Sequence, residues 1–278
     1  MKRRIFPTVI SYTLLIIFCV VFIAPILIVF YNSFKSRFYI SDSPFELPDA
    51  ETFAGLENYF EGIQKIGFFS AFGWSLLITV LSVIAIVLFT SMTAWYIARS
   101  KSRFSSILYY AFIFSMIVPF QMVMFTLTKT ANLLSLDNPL GLVFVYLGFG
   151  SGLSIFMFTG FIKSIPKEIE EAAMIDGCSP LQTFFKVVFP VLKPTSITVA
   201  ILNAMWIWND YLLPYLVLGT DNKTIPVAIQ LAMQGAYGDT DMGGFMAMLV
   251  LAIIPIIIFY LACQKHIIKG VIAGAVKG

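Results

Sequence analysis

EEAAMIDGCSPLQTFFKVVFPVLKP, residues 170–194, is a polar, punctuated segment between two long apolar runs. Glu168, Glu170 and Glu171 gather where a short helix would begin, with Ser164 as its cap and Pro166 in its first turn. Negative charge there complements the positive end of the helix dipole. Ile169, Ala172, Ala173 and Asp176 fall on adjoining helical positions, which gives that helix one small, close-packing side. Gly177 lets the chain turn. Ser179, Pro180 and Gln182 make a second start signal, a cap with its reciprocal partner three residues on. Leu181, Phe184, Phe185 and Val188 then recur at helical spacing until Pro190 and Pro194 end the segment. The pattern predicts two short helices joined by a sharp turn, a knob standing out from the flanking runs. An amphipathic loop lying on a bilayer surface is the competing reading.

The flanking runs decide what the knob stands out from. Of the 278 residues 59% are hydrophobic and only 12% charged, with mean hydropathy +0.90; a soluble domain needs about a quarter charged residues for its surface. Apolar runs of about 20 residues match a hydrocarbon core of about 30 Å, and in lipid the backbone must satisfy its own hydrogen bonds, which favours helices. Six runs are predicted: Ile10 to Tyr31, about Ser70 to Ala98, Ser105 to Thr128, Pro139 to Ile162, a fifth from Pro194 to near Leu218, and about Phe245 to Cys263. The first is too long for a signal core and lacks a small-residue cleavage site, so it is read as retained. Pro214 and Pro255 are internal to the last two. The fold class is an all-α integral membrane protein with six transmembrane helices, as a single domain over 1–278 with its core at about 70–265.

If the N-terminus is inside, Lys2, Arg3, Arg4, Arg99, Lys101, Arg103, Lys163, Lys167, Lys186, Lys193 and the tail lysines share one side, against Lys35, Arg37, Lys65, Lys129 and Lys223 on the other. Basic residues are retained on the cytoplasmic side, so both termini and the knob are expected there. The net charge of +3 then reports topology, and no basic face suggests nucleic acid. Cys19, Cys178 and Cys263 have neither a disulfide-permissive location nor metal-site spacing. His266 is the only histidine, which leaves a catalytic or metal centre without its usual parts. No G-x-x-x-x-G-K-[ST] loop is present; the glycines of LGFGSGLS (147–154) lie within an apolar run and are read as allowing close helix packing.

EAAMIDG, followed thirteen positions after its glycine by Pro190, resembles the EAA signature of membrane subunits of ATP-binding-cassette importers. GLENYF (55–60), WIWNDYLLP (206–214) and the ending KHIIKGVIAGAVKG (265–278) extend the resemblance over nearly the whole chain. They are similar to carbohydrate-importer permeases of the maltose-transporter second-subunit type, with Phe189 where leucine is usual before the proline. The resemblance implies a type I ABC importer permease fold with EAA coupling helices at 164–190 and a cytoplasmic tail at 265–278. It implies an ATPase-coupling set of Glu170, Glu171, Ala172, Ala173, Asp176 and Gly177, where Glu170 or Glu171 meets basic residues of an ATPase subunit and small residues permit close approach. It implies as partners a second permease, two ATPase subunits that bind ATP and Mg, an extracytoplasmic sugar-binding protein, the lipid bilayer and a carbohydrate substrate. This chain itself then holds no cofactor and is no enzyme. The tail after Lys269, with Gly270, Ala273, Gly274 and Ala275, is implied to reach toward the ATPase pair.

Trp206, Asn209 and Asp210, with Gln121 as a further candidate, are substrate-path residues on this reading. Asp210 lies about two-thirds of the way across a continuous helix begun near Thr195, and a lone carboxylate there must face protein, water or a partner. Stacking of Trp206 and Trp208 on a sugar ring, with Asn209 and Asp210 taking its hydroxyls, competes with an interfacial aromatic anchor plus a helix–helix hydrogen bond. On the first view Asp210→Ala would weaken uptake without disturbing assembly. The loop at 32–68, with acidic Asp42, Glu46, Asp49, Glu51, Glu57 and Glu61, is either a binding-protein contact or a solvated cap. A self-sufficient secondary transporter is the alternative function, and it should carry inverted repeats and coupling-ion carboxylates.

Overall fold

Apolar runs of this length leave the backbone one economical choice, and the chain takes it almost throughout. The computed structural model describes the backbone of residues 5–233 and 241–275 and the side chains of residues 10–232 and 241–265. Lys2, Arg3, Arg4 and Lys277 lie outside the described residues, and so do the side chains of His266 and the tail. Helices run α1 Ile5–Asn32, α2 Arg37–Ile40, α3 Glu57–Ile66, α4 Phe68–Arg99, α5 Arg103–Ile117, α6 Phe120–Leu133, α7 Pro139–Ile162, α8 Glu168–Ile175 and α9 Pro180–Thr183. After a π turn at Phe184–Val188 come α10 Phe189–Val191, α11 Lys193–Asn209, α12 Leu212–Leu218, α13 Ile225–Met233 and α14 Met242–Ala275. Among the described residues, four helices are long and apolar enough to cross a membrane, Ile10–Asn32, Phe68–Arg99, Pro139–Ile162 and Met242–Lys265, or up to six if two bent pairs each count as one span.

The chain divides into two compact units, Met1–Phe69 with Ala228–Pro255, and Ser70–Val227 with Ile256–Gly278. In the first, α1 from Ile10 onward exposes its apolar side chains on all sides, as a helix solvated by lipid does. The loop that follows is folded. Asn32 Nδ2 donates to the carbonyls of Ile28 (2.9 Å) and Pro44 (2.7 Å), and Tyr31 OH also donates to Pro44 (3.0 Å). Lys35 is fully buried, its Nζ 2.6 Å from the Ser43 carbonyl and above the Tyr31 ring. Asn58 Nδ2 bridges the carbonyls of Ser33 and Lys35, and Gly243 lies so close that a Cβ there would meet Asn58 Oδ1 at 2.6 Å. All six acidic residues of the loop are exposed. Hydrogen bonds from Thr52 hold the Asp49 carboxyl below the usual carboxylate range.

The second unit corrects two expected spans. The third run is broken at Val118–Pro119 into α5 and α6, whose axes differ by 108°. Proline lacks an N–H and drives the preceding residue out of the helical region, and Val118 is extended at φ −73°, ψ 114°. The fifth run is also discontinuous: α11 stops at Asn209, Asp210 is extended at φ −75°, ψ 124°, and α12 starts afresh at Leu212. Pro214 therefore sits in a first turn, where its missing donor leaves no carbonyl unpaired; Pro255 does lie inside α14. Pro190 and Pro194 likewise begin α10 and α11 where the sequence suggested an end, with a 77° bend between Pro180–Val191 and Lys193–Asn209.

One core joins α4, α7, the π turn and α11 through Ile86, Tyr146, Phe158, Ile162, Phe184 and Val199, all fully buried. At its centre a Cβ on Gly150 would lie 2.5 Å from Ile86 Cδ1 and 2.8 Å from Asn203 Oδ1. The close packing read from the glycine-rich run is present there. Asn203 uses the approach to donate to Ser154 Oγ (3.2 Å) and to the Val199 carbonyl (2.9 Å).

Candidate functional site

The knob is built as two short helices, with one difference at its start. Ser164 Oγ donates to the Phe161 carbonyl (2.7 Å) and so closes α7; α8 begins at Glu168 after Lys167 with no side-chain cap. Three acidic residues stand in that first turn, where the free amide groups favour negative charge. At the far end the Cys178 amide donates to Ala173 and the Gly177 amide to Met174, both at 3.0 Å. This is a Schellman ending, which needs a left-handed residue after the cap, and Gly177 supplies it at φ +84°. The capping box then starts α9, with the Ser179 amide donating to Gln182 Oε1 (2.9 Å) and the Gln182 amide to Ser179 Oγ (3.4 Å).

Which side of α8 faces inward differs from the expectation. Glu170 and Ala173 are buried, while Ile169, Glu171, Ala172, Asp176 and Gly177 are exposed. Glu170 is 4% exposed, turned into this chain. Its Oε1 accepts from Arg99 Nε (2.9 Å) and Nη2 (2.7 Å), and its Oε2 from Trp95 Nε1 (2.9 Å). Arg99 Nη2 also donates to the Ile165 carbonyl (3.0 Å), and the Trp95 ring packs against Phe184 at 5.6 Å. The end of α4 thus grips both α8 and the π turn. A carboxylate surrounded by charge-assisted donors remains satisfied when buried. Ala173 is buried beside it on the same side of α8. Of the stripe on the second helix, Phe184 and Val188, four apart and so on one side, are buried, while Leu181 and Phe185 on the adjoining side are exposed.

Two of the path candidates, Trp206 and Asp210, are brought together by Tyr146 at the break between α11 and α12. Asp210 Oδ1 accepts the amides of Leu212 (3.1 Å) and Leu213 (3.4 Å), and Tyr146 OH donates to its Oδ2 (3.0 Å). Trp206 stands edge-on to Tyr146 at 5.5 Å. Asn209 donates back to the Met205 carbonyl of its own helix, Trp208 is buried edge-on against Phe72, and Gln121 is exposed in the first turn of α6. The carboxylate therefore has a structural task. Asp210→Ala is expected to destabilise the purified chain by about 1 kcal/mol for the lost cap and a further 1–3 kcal/mol or so for the stranded Tyr146 hydroxyl. Asp210→Asn retains an acceptor and should melt close to the parent. Equal melting of both variants in a thermal-unfolding assay would refute the capping role.

Trp95, Arg99 and Tyr146 escaped the sequence reading as site residues. Trp95 and Arg99 are four apart at the end of a span, hence on one face, and that spacing was the available signal.

Helices long and apolar enough to span a bilayer, with a pair of short helices tied to the end of one of them by Glu170, are the parts of a multi-pass membrane protein. Residues 86–273 match the model of the binding-protein-dependent transport system inner membrane component family, and the chain belongs to that family. It is 39% identical over 263 residues to a permease of a starch degradation products transport system from Thermoanaerobacterium thermosulfurigenes, covering 94% of each chain. A multiple sugar-binding transport system permease of Streptococcus mutans is 38% identical, covering 96% of each. A melibiose/raffinose/stachyose import permease of Bacillus subtilis is 32% identical, covering 80% of each. The fold is also that of a chain in a bacterial ABC transporter that imports the acidic polysaccharide alginate, with TM-score 0.78 and 22% identity, covering 95% of this chain and 98% of that one.

Proposed function

We propose that this chain is one of two permease subunits of an ATP-driven carbohydrate importer, coupled through α8 and α9 to a separate ATPase subunit. The observation that carries the proposal is the two-sided build of α8. Its inner side is fixed to α4 by Glu170, and its outer side presents Glu171, Ala172, Met174 and Ile175, the last 86% exposed. A rigid projection with free apolar side chains beside charge suits a socket on another protein. ATP and Mg belong to the ATPase pair on this reading, since the chain has no phosphate-binding loop of the usual kind. Closure of that pair would move the knob as a lever and swing the spans between inward-facing and outward-facing states. The excess of basic residues on one side supports placing both termini and the knob in the cytoplasm. The carbohydrate cargo is supported by the relatives, whose descriptions name starch degradation products, multiple sugars and melibiose/raffinose/stachyose. Trp206, Tyr146 and Asp210 form the polar-aromatic cluster best suited to meet it, and an extracytoplasmic binding protein would deliver it.

Reconstitution of the assembled importer in proteoliposomes tests this. Glu171→Lys, Ile175→Asp and Gly177→Trp are expected to cut ATP-dependent uptake about tenfold or more, the loss typical of a disrupted contact hot spot. Glu171→Lys and Ile175→Asp should change the chain's own stability by only about 0.5 kcal/mol. Uptake that survives omission of the ATPase and follows an ion gradient would establish a secondary transporter instead.

A further inference from the structure

We propose that Lys163 is a positioning residue for coupling: its ammonium, seated on the Tyr109 ring, ties the root of the knob to α5, so that a displacement of α8 also moves the broken span α5–α6. The inference rests on the coupling reading above and adds to it a second route, beside the grip of α4 on Glu170. The chain that leads from α7 to the knob is held closely. The amides of Lys163, Ser164 and Ile165 donate back to the carbonyls of Thr159 (3.2 Å), Phe161 (2.9 Å) and Ile162 (3.0 Å). Ile165 is buried, and its carbonyl accepts from Arg99 at the end of α4. Lys163 reaches α5 instead. Its Nζ lies 5.3 Å from the centroid of the Tyr109 ring, inside the limit of about 6 Å at which a ring face attracts a cation. Among the described residues this ammonium makes no ion pair or hydrogen bond, so the ring is the contact that fixes it.

Tyr109 is placed to pass a pull onward. It stands in the second turn of α5, half-buried, and packs against the core shared by α4, α7 and α11. Farther along, α5 lies hard against α7, where a Cβ on Gly152 would meet the Phe112 carbonyl oxygen at 2.8 Å and Met116 Cγ at 2.6 Å. Between these contacts Arg103–Ile117 is one unbroken helix of 15 residues, about 22 Å long, which ends at the Val118–Pro119 break. A helix held at both ends acts as a stiff rod from the knob to that break. Ser105 Oγ donates to the carbonyls of Ser100 (3.0 Å) and Ser102 (2.8 Å) and so fixes the turn from α4 into α5. The two ties of the knob, one to each of these helices, therefore pull on a single unit.

The assembled importer in proteoliposomes would be assayed with radiolabelled maltotriose and raffinose for sugar carried per ATP hydrolysed, and each variant's melting would be followed in parallel. Lys163→Gln and Tyr109→Leu should each lower that ratio about two- to fivefold, which is what an exposed cation–π contact is worth. Lys163→Arg and Tyr109→Phe, which keep a cation and a ring, should hold the ratio of the parent. The double variant Lys163→Gln/Tyr109→Leu should do no worse than either single one, and Lys163→Gln should melt with the parent. A parental ratio in Lys163→Gln would overturn the proposal. So would a loss in Lys163→Gln that Tyr109→Leu does not share, because the lysine would then act on a partner chain. Glu171→Lys in the same assay separates this inference from the reading beneath it. Uncoupling by Glu171→Lys with none by Lys163→Gln refutes the tie to α5 alone, whereas parental behaviour of both removes the knob itself from the mechanism.

Discussion

Glu170→Ala is expected to destabilise the purified chain by about 3–5 kcal/mol, the usual effect of removing one partner from a buried ion pair, and to abolish uptake by the assembled importer. The substitution leaves the Arg99 guanidinium with the Ile165 carbonyl alone and the Trp95 N–H with no acceptor. Both groups are half-buried, so water compensates them only in part, and α8 loses its tie to α4. Replacing Glu170 and Arg99 together by methionine should recover much of the stability, because hydrophobic residues of similar volume often replace a buried pair at little cost. A double-mutant cycle read by thermal unfolding would give the coupling between the two residues. Should Glu170→Ala melt like the parent yet still fail in transport, the carboxylate would have to act on a partner chain, and the clamp described above would be wrong.

A second large effect is expected at Gly150. Valine there would drive its Cβ to within 2.5 Å of Ile86 Cδ1 and 2.8 Å of Asn203 Oδ1, and both neighbours are buried. Overpacking of a filled core costs about 1–3 kcal/mol, and displacement of Asn203 adds the loss of its bond to Ser154. Ile86→Ala in the same chain should restore part of the loss by vacating the contact. Gly148, two residues earlier, is the control. A Cβ there meets nothing within 4 Å, so Gly148→Ala should stay within about 0.5 kcal/mol. Similar melting of Gly150→Val and Gly148→Ala would show that α4, α7 and α11 do not depend on that close approach.

Spans and knob were legible in the sequence because length, hydropathy and caps are local properties. Hydropathy reports the solvent of a segment and says nothing about the direction of its axis. The run Ser105–Thr128 therefore gave no measure of the 108° turn at Pro119. The depth assigned to Asp210 assumed a continuous helix, whereas the residue ends one helix and caps the next. Glu170 and Glu171 are adjacent acids in one turn, separated by about 100° of rotation. Only Arg99 and Trp95, some seventy residues away, decide which of the two turns inward.

The π turn at Phe184–Val188 bears on how the gene can change. One residue more than an α-helix requires is wound into that turn, so deleting any one of the five would restore ordinary winding. Five residues wound as a π turn sweep nearly the same angle as four wound as an α-helix, so the helix beyond would keep its phase relative to the projection. The turn is a place where the chain can absorb one residue more or less without turning its neighbours. Natural length variation should therefore be tolerated at these five positions, and a chimera that borrows the projection from another permease can be joined there with or without the extra residue.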